Sequence, residues 1–165
     1  MHIPKLNFAE IETQTFDSII DVRSPAEFAL DHIDGAINLP VLSNEERSLV
    51  GTTYKQDSRF KARKIGAALI AKNTAQHLET ELFSNHRDWK PLIYCWRGGL
   101  RSLSLYLVLK QIGYEVFMLD GGYKSYRKFV VNFLEKDAPN YNYNQIMGIT
   151  GVGKTLFLKE LSKQY

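Results

Sequence analysis

The chain has 165 residues, of which 44% are hydrophobic and 24% charged, with a net charge of +3 and a single cysteine. Such a chain suits one globular domain, or one domain and part of a second. One cysteine excludes an intramolecular disulfide and a thiol-rich zinc site and fits a reducing compartment. No apolar run is long enough to span a bilayer, and Met1-His2-Ile3-Pro4-Lys5 does not open a secretory signal, so a cytoplasmic protein with no membrane partner is expected. The charge is unevenly placed. Residues 1–46 carry two basic and nine acidic side chains, net −7, whereas residues 47–165 carry nineteen and nine, net +10. An anionic partner is therefore to be sought on the later part of the fold.

In chain order, Phe8 to Thr13 reads as a short helix and Ser18 to Val22 as a strand. Ser24-Pro25-Ala26-Glu27 starts a helix, with Ser at the cap, Pro at the first position and Glu at the third, and this helix runs to Leu30. Gly35 to Leu39 is a second strand, stopped by Pro40. A helical region opens at Asn44 and runs to about Leu82, with breaks expected near Gly51 and Asp57. Pro91 to Cys95 is a buried strand, and Ser102 to Ile112 a helix closed by Gly113. Glu115 to Leu119 is another strand, and Gly121-Gly122 turns it into a helix from Tyr123 to Leu134. Strands alternating with helices give an α/β fold with a mostly parallel sheet and helices on both faces. Asp137-Ala138-Pro139-Asn140 marks a boundary, so residues 1–138 form one domain and 139–165 begin another. In the latter, Tyr141 to Met147 reads as a strand leading into a Gly-rich loop and a helix to Leu161. With only one strand and one helix after Pro139, the chain is expected to be the N-terminal piece of a longer protein.

Two loops carry chemistry. In the first, Cys95 stands at the carboxyl end of a strand and a helix follows at once, where α/β sheets place ligands. Trp96-Arg97-Gly98-Gly99-Leu100-Arg101 then form an anion-binding loop. The Gly pair lets several backbone N–H groups point at one spot, and the helix dipole and two guanidinium groups add positive potential. Each of these lowers a thiol's pKa, and the thiolate is the nucleophile. An accessible, catalytic Cys95 is preferred to a merely buried one, because a structural Cys needs no such surroundings. In the second loop, Gly148, Gly151, Gly153, Lys154 and Thr155 complete a phosphate-binding P-loop pattern. Its backbone would cradle a di- or triphosphate, Lys154 would supply charge, and Thr155 would meet Mg²⁺. The four histidines are scattered, so no protein metal site is expected.

The first part resembles a rhodanese domain. The matching pieces are Asp21 to Phe28, His32 to Pro40, the Cys95 loop and Asp120-Gly121-Gly122-Tyr123. The resemblance implies that Cys95 handles sulfane sulfur or its selenium counterpart, that Asp21 and Arg23 are structural with Arg23 paired to a carboxylate, and that His32 belongs to a structural turn. One family joins such a domain to a P-loop, the tRNA 2-selenouridine synthases. The chain resembles it in Cys95-Trp96-Arg97-Gly98-Gly99-Leu100-Arg101-Ser102, Val50 to Gln56, Gly121-Gly122-Tyr123-Lys124 and the loop from Gly148 to Thr155. That resemblance implies replacement of sulfur by selenium at the wobble 2-thiouridine of tRNA, with geranyl diphosphate and selenophosphate as co-substrates and no tightly bound cofactor.

Two other readings stay open. Five residues separate Cys95 from Arg101, the spacing of rhodanese-fold cysteine phosphatases and arsenate reductases, although no acid is evident to protonate a leaving oxygen. The alternative without catalysis is an anion- or RNA-binding module, against which an intact Cys95 argues. A simple rhodanese-type sulfurtransferase lies between them. Lys55, Arg59, Lys61, Arg63 and Lys64, interleaved with Tyr54 and Phe60, form a basic stretch suited equally to an RNA backbone and to a solvated helix face.

Overall fold

The structure is a computed structural model and describes residues 5–164. By internal packing the chain divides into two units, 1–131 and 132–165.

The first unit is built on a five-stranded sheet in which every pairing is parallel. Its strands are β1 (Lys5–Leu6), β2 (Ser18–Asp21), β3 (Ala36–Asn38), β4 (Pro91–Tyr94) and β5 (Phe117–Leu119), in the order β1-β5-β4-β2-β3. The helices are α1 (Phe8–Glu12), α2 (Pro25–Leu30), α3 (Asn44–Gln56), α4 (Arg59–Glu79), α5 (Leu100–Ile112) and α6 (Gly122–Asn132). β1 is too short to leave a pattern and is an addition to the sequence reading. The break at Asp57 is realised, with Ser58 capping α4 through its hydroxyl, whereas α3 runs through Gly51 unbroken.

β4 is the central strand, and all four of its residues are buried. That is why it is apolar without alternation, as parallel strands covered on both faces are. Successive side chains still point to opposite faces. Ile93 and Cys95 enter one core with Ile20, Leu105, Leu109 and Met118, while Leu92 and Tyr94 enter the other with Ile33, Leu119 and Tyr123. Cys95 is thus carried out of the sheet on the side that α5 covers.

The second unit departs from the sequence reading. Phe133–Asp137 is a π-helical turn that continues α6, Ala138–Asn140 is a 3₁₀ turn, and the division at 131/132 therefore lies before the expected 138/139. The strand expected over Tyr141 to Met147 does not form. A strand needs a neighbour for its N–H and C=O groups, and within this unit the described residues contain none. Tyr141, Tyr143 and Met147 are accordingly exposed. Helix α7 (Lys154–Leu161) forms as expected.

Candidate active site

The Cys95 loop is fixed from behind before it can bind anything in front. Gly121 and Gly122 both take left-handed φ, and the Gly122 Cα lies so close that an added Cβ would fall 2.2 Å from the Cys95 carbonyl oxygen. Only glycine permits this approach. It allows the Tyr123 N–H to donate to the Cys95 carbonyl at 2.8 Å and the Lys124 N–H to the Trp96 carbonyl at 3.1 Å. The Gly-Gly-Tyr-Lys segment and the cysteine loop, remote in sequence, form one double turn at the carboxyl edge of β4 and β5.

Cys95 is 3% exposed, so the expectation of an accessible thiol is corrected: the sulfur lies at the base of the loop, packed under α5. Its Sγ accepts the Gly99 N–H at 3.2 Å and meets the Ser102 hydroxyl at 3.2 Å. Ser102 is fully buried and also donates to the Gly99 carbonyl at 3.1 Å. Having one proton, the hydroxyl serves that carbonyl while Cys95 is a thiol and turns to the sulfur when it ionises. Burial pushes the Cys95 thiol up. The Ser102 hydroxyl, the Ser102 and Arg97 backbone N–H groups and the Arg101 charge outweigh it, leaving the thiol below its ordinary value. Burial alone would have given an inert core cysteine; these donors make a poised nucleophile.

The loop residues divide between rim and brace. Arg97, Gly99 and Leu100 are exposed, the last by 66%. Trp96 packs on Tyr123 with ring centroids 5.6 Å apart, and Gly98 takes φ 64° above the Leu119 carbonyl. Arg101 does not stand free beside the sulfur. Its guanidinium grips Glu27 through two bonds of 2.6 and 3.3 Å, tying α5 to α2. Glu27 also accepts from the Ser24 N–H and hydroxyl, and Arg47 approaches it at 3.8 Å. Burial would raise the Glu27 carboxyl, but the Arg101 bond and charge hold it below the usual carboxylate range. Sequence reading placed Glu27 only as a helix cap and did not foresee this partner.

Residues 7–129 match the rhodanese-like domain family. The chain belongs to that family. The solved N-terminal domain of a Clostridium difficile 630 protein named for ATP/GTP binding superposes with a TM-score of 0.67 and 35% identity, covering 77% of this chain and 98% of that one. The tRNA 2-selenouridine synthase of Nitrosomonas eutropha is 39% identical over 148 residues, 89% of this chain and 38% of the relative. That of Shewanella denitrificans is 37% identical over 159 residues, 95% and 43% respectively. The chain thus spans about two fifths of the length of these curated relatives.

In this rhodanese-like domain Asp21 and Arg23 form a buried ion pair, with Nη2–Oδ2 at 2.6 Å and Nε within 3.0 Å of both carboxylate oxygens. Arg23 also donates to the Asp31 carbonyl at 2.7 Å and lies 3.9 Å from the centre of the Tyr123 ring. Tyr123 in turn donates its hydroxyl to Asp31. The pair therefore braces the residue that follows Gly122, two bonds away from the cysteine loop. His32 closes the same turn, its Nδ1 on the Phe28 carbonyl at 2.9 Å.

In the second unit Gly151 and Gly153 are left-handed and Gly153 caps α7, whose first turn holds Thr155. Lys154 folds back, its Nζ donating to the Gly148 and Ile149 carbonyls at 2.7 and 2.8 Å. Among the described residues no group of three or more His, Cys, Asp or Glu is placed to hold a metal ion, and no helix is long and apolar enough to cross a membrane.

Proposed function

We propose that this chain is the rhodanese-like part and adjoining loop of a tRNA 2-selenouridine synthase, a selenium-transferring enzyme acting on wobble 2-thiouridine in the cytoplasm. The observation that carries the reading is Cys95 itself, a thiol lowered by the Ser102 hydroxyl and loop amides in a chain more than a third identical to synthases of that name. As the family resemblance implies, the thiouridine sulfur first displaces diphosphate from geranyl diphosphate. Selenium from selenophosphate then takes C2, geranylthiol leaves, and water releases phosphate. Cys95 serves the second step as its nucleophile. Gly148, Gly151, Gly153 and Lys154 would hold the diphosphate, and Thr155 would meet any Mg²⁺ it brings; Lys154 must then exchange its two carbonyl partners for phosphate oxygens.

The phosphatase reading is disfavoured by the Glu27–Arg101 pair, which occupies the guanidinium that such chemistry aims at its anion. Nucleoside mass spectrometry of tRNA tests the proposal in cells whose own copy of this protein carries Cys95→Ser or Lys154→Ala. Selenouridine should vanish in both, with geranylated thiouridine accumulating only in the Cys95 variant. Undiminished selenouridine in the Cys95→Ser strain refutes it.

A further inference from the structure

A cavity of about 440 Å³ opens beside the Cys95 loop, walled by α3, α4 and the first turn of α5, within the range of roughly 300–1,000 Å³ usual for ligand pockets. Its floor is apolar, from Leu42, Val50, Ile70 and Leu100, while Arg47, Arg63 and Tyr54 stand at its walls. A charged group has no reason to enter such a floor, and an uncharged ligand has no use for the cations. The arrangement asks for a ligand with a flat apolar part joined to phosphates.

The basic stretch extends this pattern along the outer face of α4. Arg59 lies 5.5 Å from the centre of the Tyr54 ring, one helical turn before Arg63, and Lys64 lies 5.6 Å from the ring of Phe60, which is 70% exposed. Among the described residues Lys61 pairs with Asp57, whereas Lys55, Arg59, Arg63 and Lys64 pair with no carboxylate. Unneutralised cations alternating with exposed aromatic faces are the chemistry of single-stranded nucleic acid binding, in which phosphates follow the charges and bases stack. An acidic peptide would satisfy the cations but would leave the aromatic faces and the cavity floor without a planar partner.

We propose that α3, α4 and the first turn of α5 form a docking face for a single-stranded RNA segment, with one unpaired base in the cavity and its phosphates on Arg59 and Arg63. The wall residues Leu100, Arg101 and Ser104 belong to the turn that follows Gly99, whose N–H holds the Cys95 sulfur. A base seated there brings the adjoining nucleotide to the mouth of the cysteine loop. This inference rests on the tRNA reading given above and assigns it a surface.

Fluorescence anisotropy on the 165-residue chain tests it, using a labelled anticodon stem-loop, an RNA duplex of equal length and poly-glutamate as competitor. Arg59→Ala/Arg63→Ala should weaken stem-loop binding at least tenfold and reduce the salt slope by about two, one for each lost phosphate contact. Ala67→Phe, which fills the cavity from an exposed position of α4, should weaken the stem-loop about tenfold and leave the duplex unchanged. Unaltered affinity and salt slope in the double variant overturn the face, as does competition by poly-glutamate equal to that of RNA. Unaltered stem-loop affinity in Ala67→Phe overturns the seated base. Each of these leaves the Cys95 nucleoside experiment untouched, so failure of the face and failure of the tRNA reaction are told apart. Circular dichroism of each variant confirms that it is folded.

Discussion

Replacing Gly122 by alanine should damage the cysteine loop without touching the cysteine. The added Cβ would lie 2.2 Å from the Cys95 carbonyl oxygen, 2.7 Å from the Gly98 nitrogen and 2.9 Å from the Arg97 nitrogen. All three are backbone atoms, so no side chain can swing aside. Gly122 also sits at φ 60°, which costs an L-residue roughly 1–2 kcal/mol. Moving the loop away stretches the Tyr123–Cys95 and Lys124–Trp96 hydrogen bonds, each worth about 1 kcal/mol. The total is roughly 3–4 kcal/mol, which for a chain of this size lowers Tm by about 10 °C. Gly35→Ala supplies the control: its φ is 73° and an added Cβ meets nothing within 4 Å, so only the conformational cost of roughly 1–2 kcal/mol applies. Thermal unfolding by circular dichroism, with iodoacetamide alkylation of Cys95 followed against pH, measures both stability and loop geometry. Gly122→Ala should melt well below Gly35→Ala and alkylate with a raised inflection. Equal melting of the two variants, with unchanged alkylation, would refute the close approach as the support of the loop.

Three further outcomes follow from the same site. Ser102→Ala removes the hydroxyl that stabilises the ionised sulfur, so the alkylation inflection of Cys95 should rise and its rate at neutral pH fall. Asp21→Asn leaves the Arg23 guanidinium buried without its counter-charge and should cost about 3–5 kcal/mol in chemical denaturation. Glu27 titrates below its unfolded value, so the stability it contributes is fully present above the ordinary carboxylate range and is lost as pH falls through its lower folded value; urea midpoints measured down that acid limb should fall less steeply for Glu27→Gln than for the unaltered chain.

Wherever one element carried its own signal, the sequence was enough. Ser24-Pro25-Ala26-Glu27 specifies the start of α2, an apolar run without alternation marks β4 as a doubly covered strand, and Gly113 closes α5 at φ 112°. Cys95 with its Gly pair announced an anion-binding loop, because a backbone that must curl within a few residues leaves its glycines in the text. The signal was weakest where a partner was required. The alternation over Tyr141 to Met147 gives an extended segment but no strand, since periodicity states what a chain offers to a neighbour and not whether the neighbour is there.

What the sequence determined by itself was the α/β order of elements, the identity of the nucleophile and the glycines that shape its loop, all of them consequences of local sterics and hydrophobic period. Only the tertiary structure decided that the thiol is buried and still lowered, that Arg101 answers to Glu27, and that Gly122 clasps the loop from behind. Residues 27 and 101, or 95 and 122, are brought together by parallel strand pairing around β4. No local pattern records that pairing, because the free energy that selects it comes from burying the two faces of the sheet.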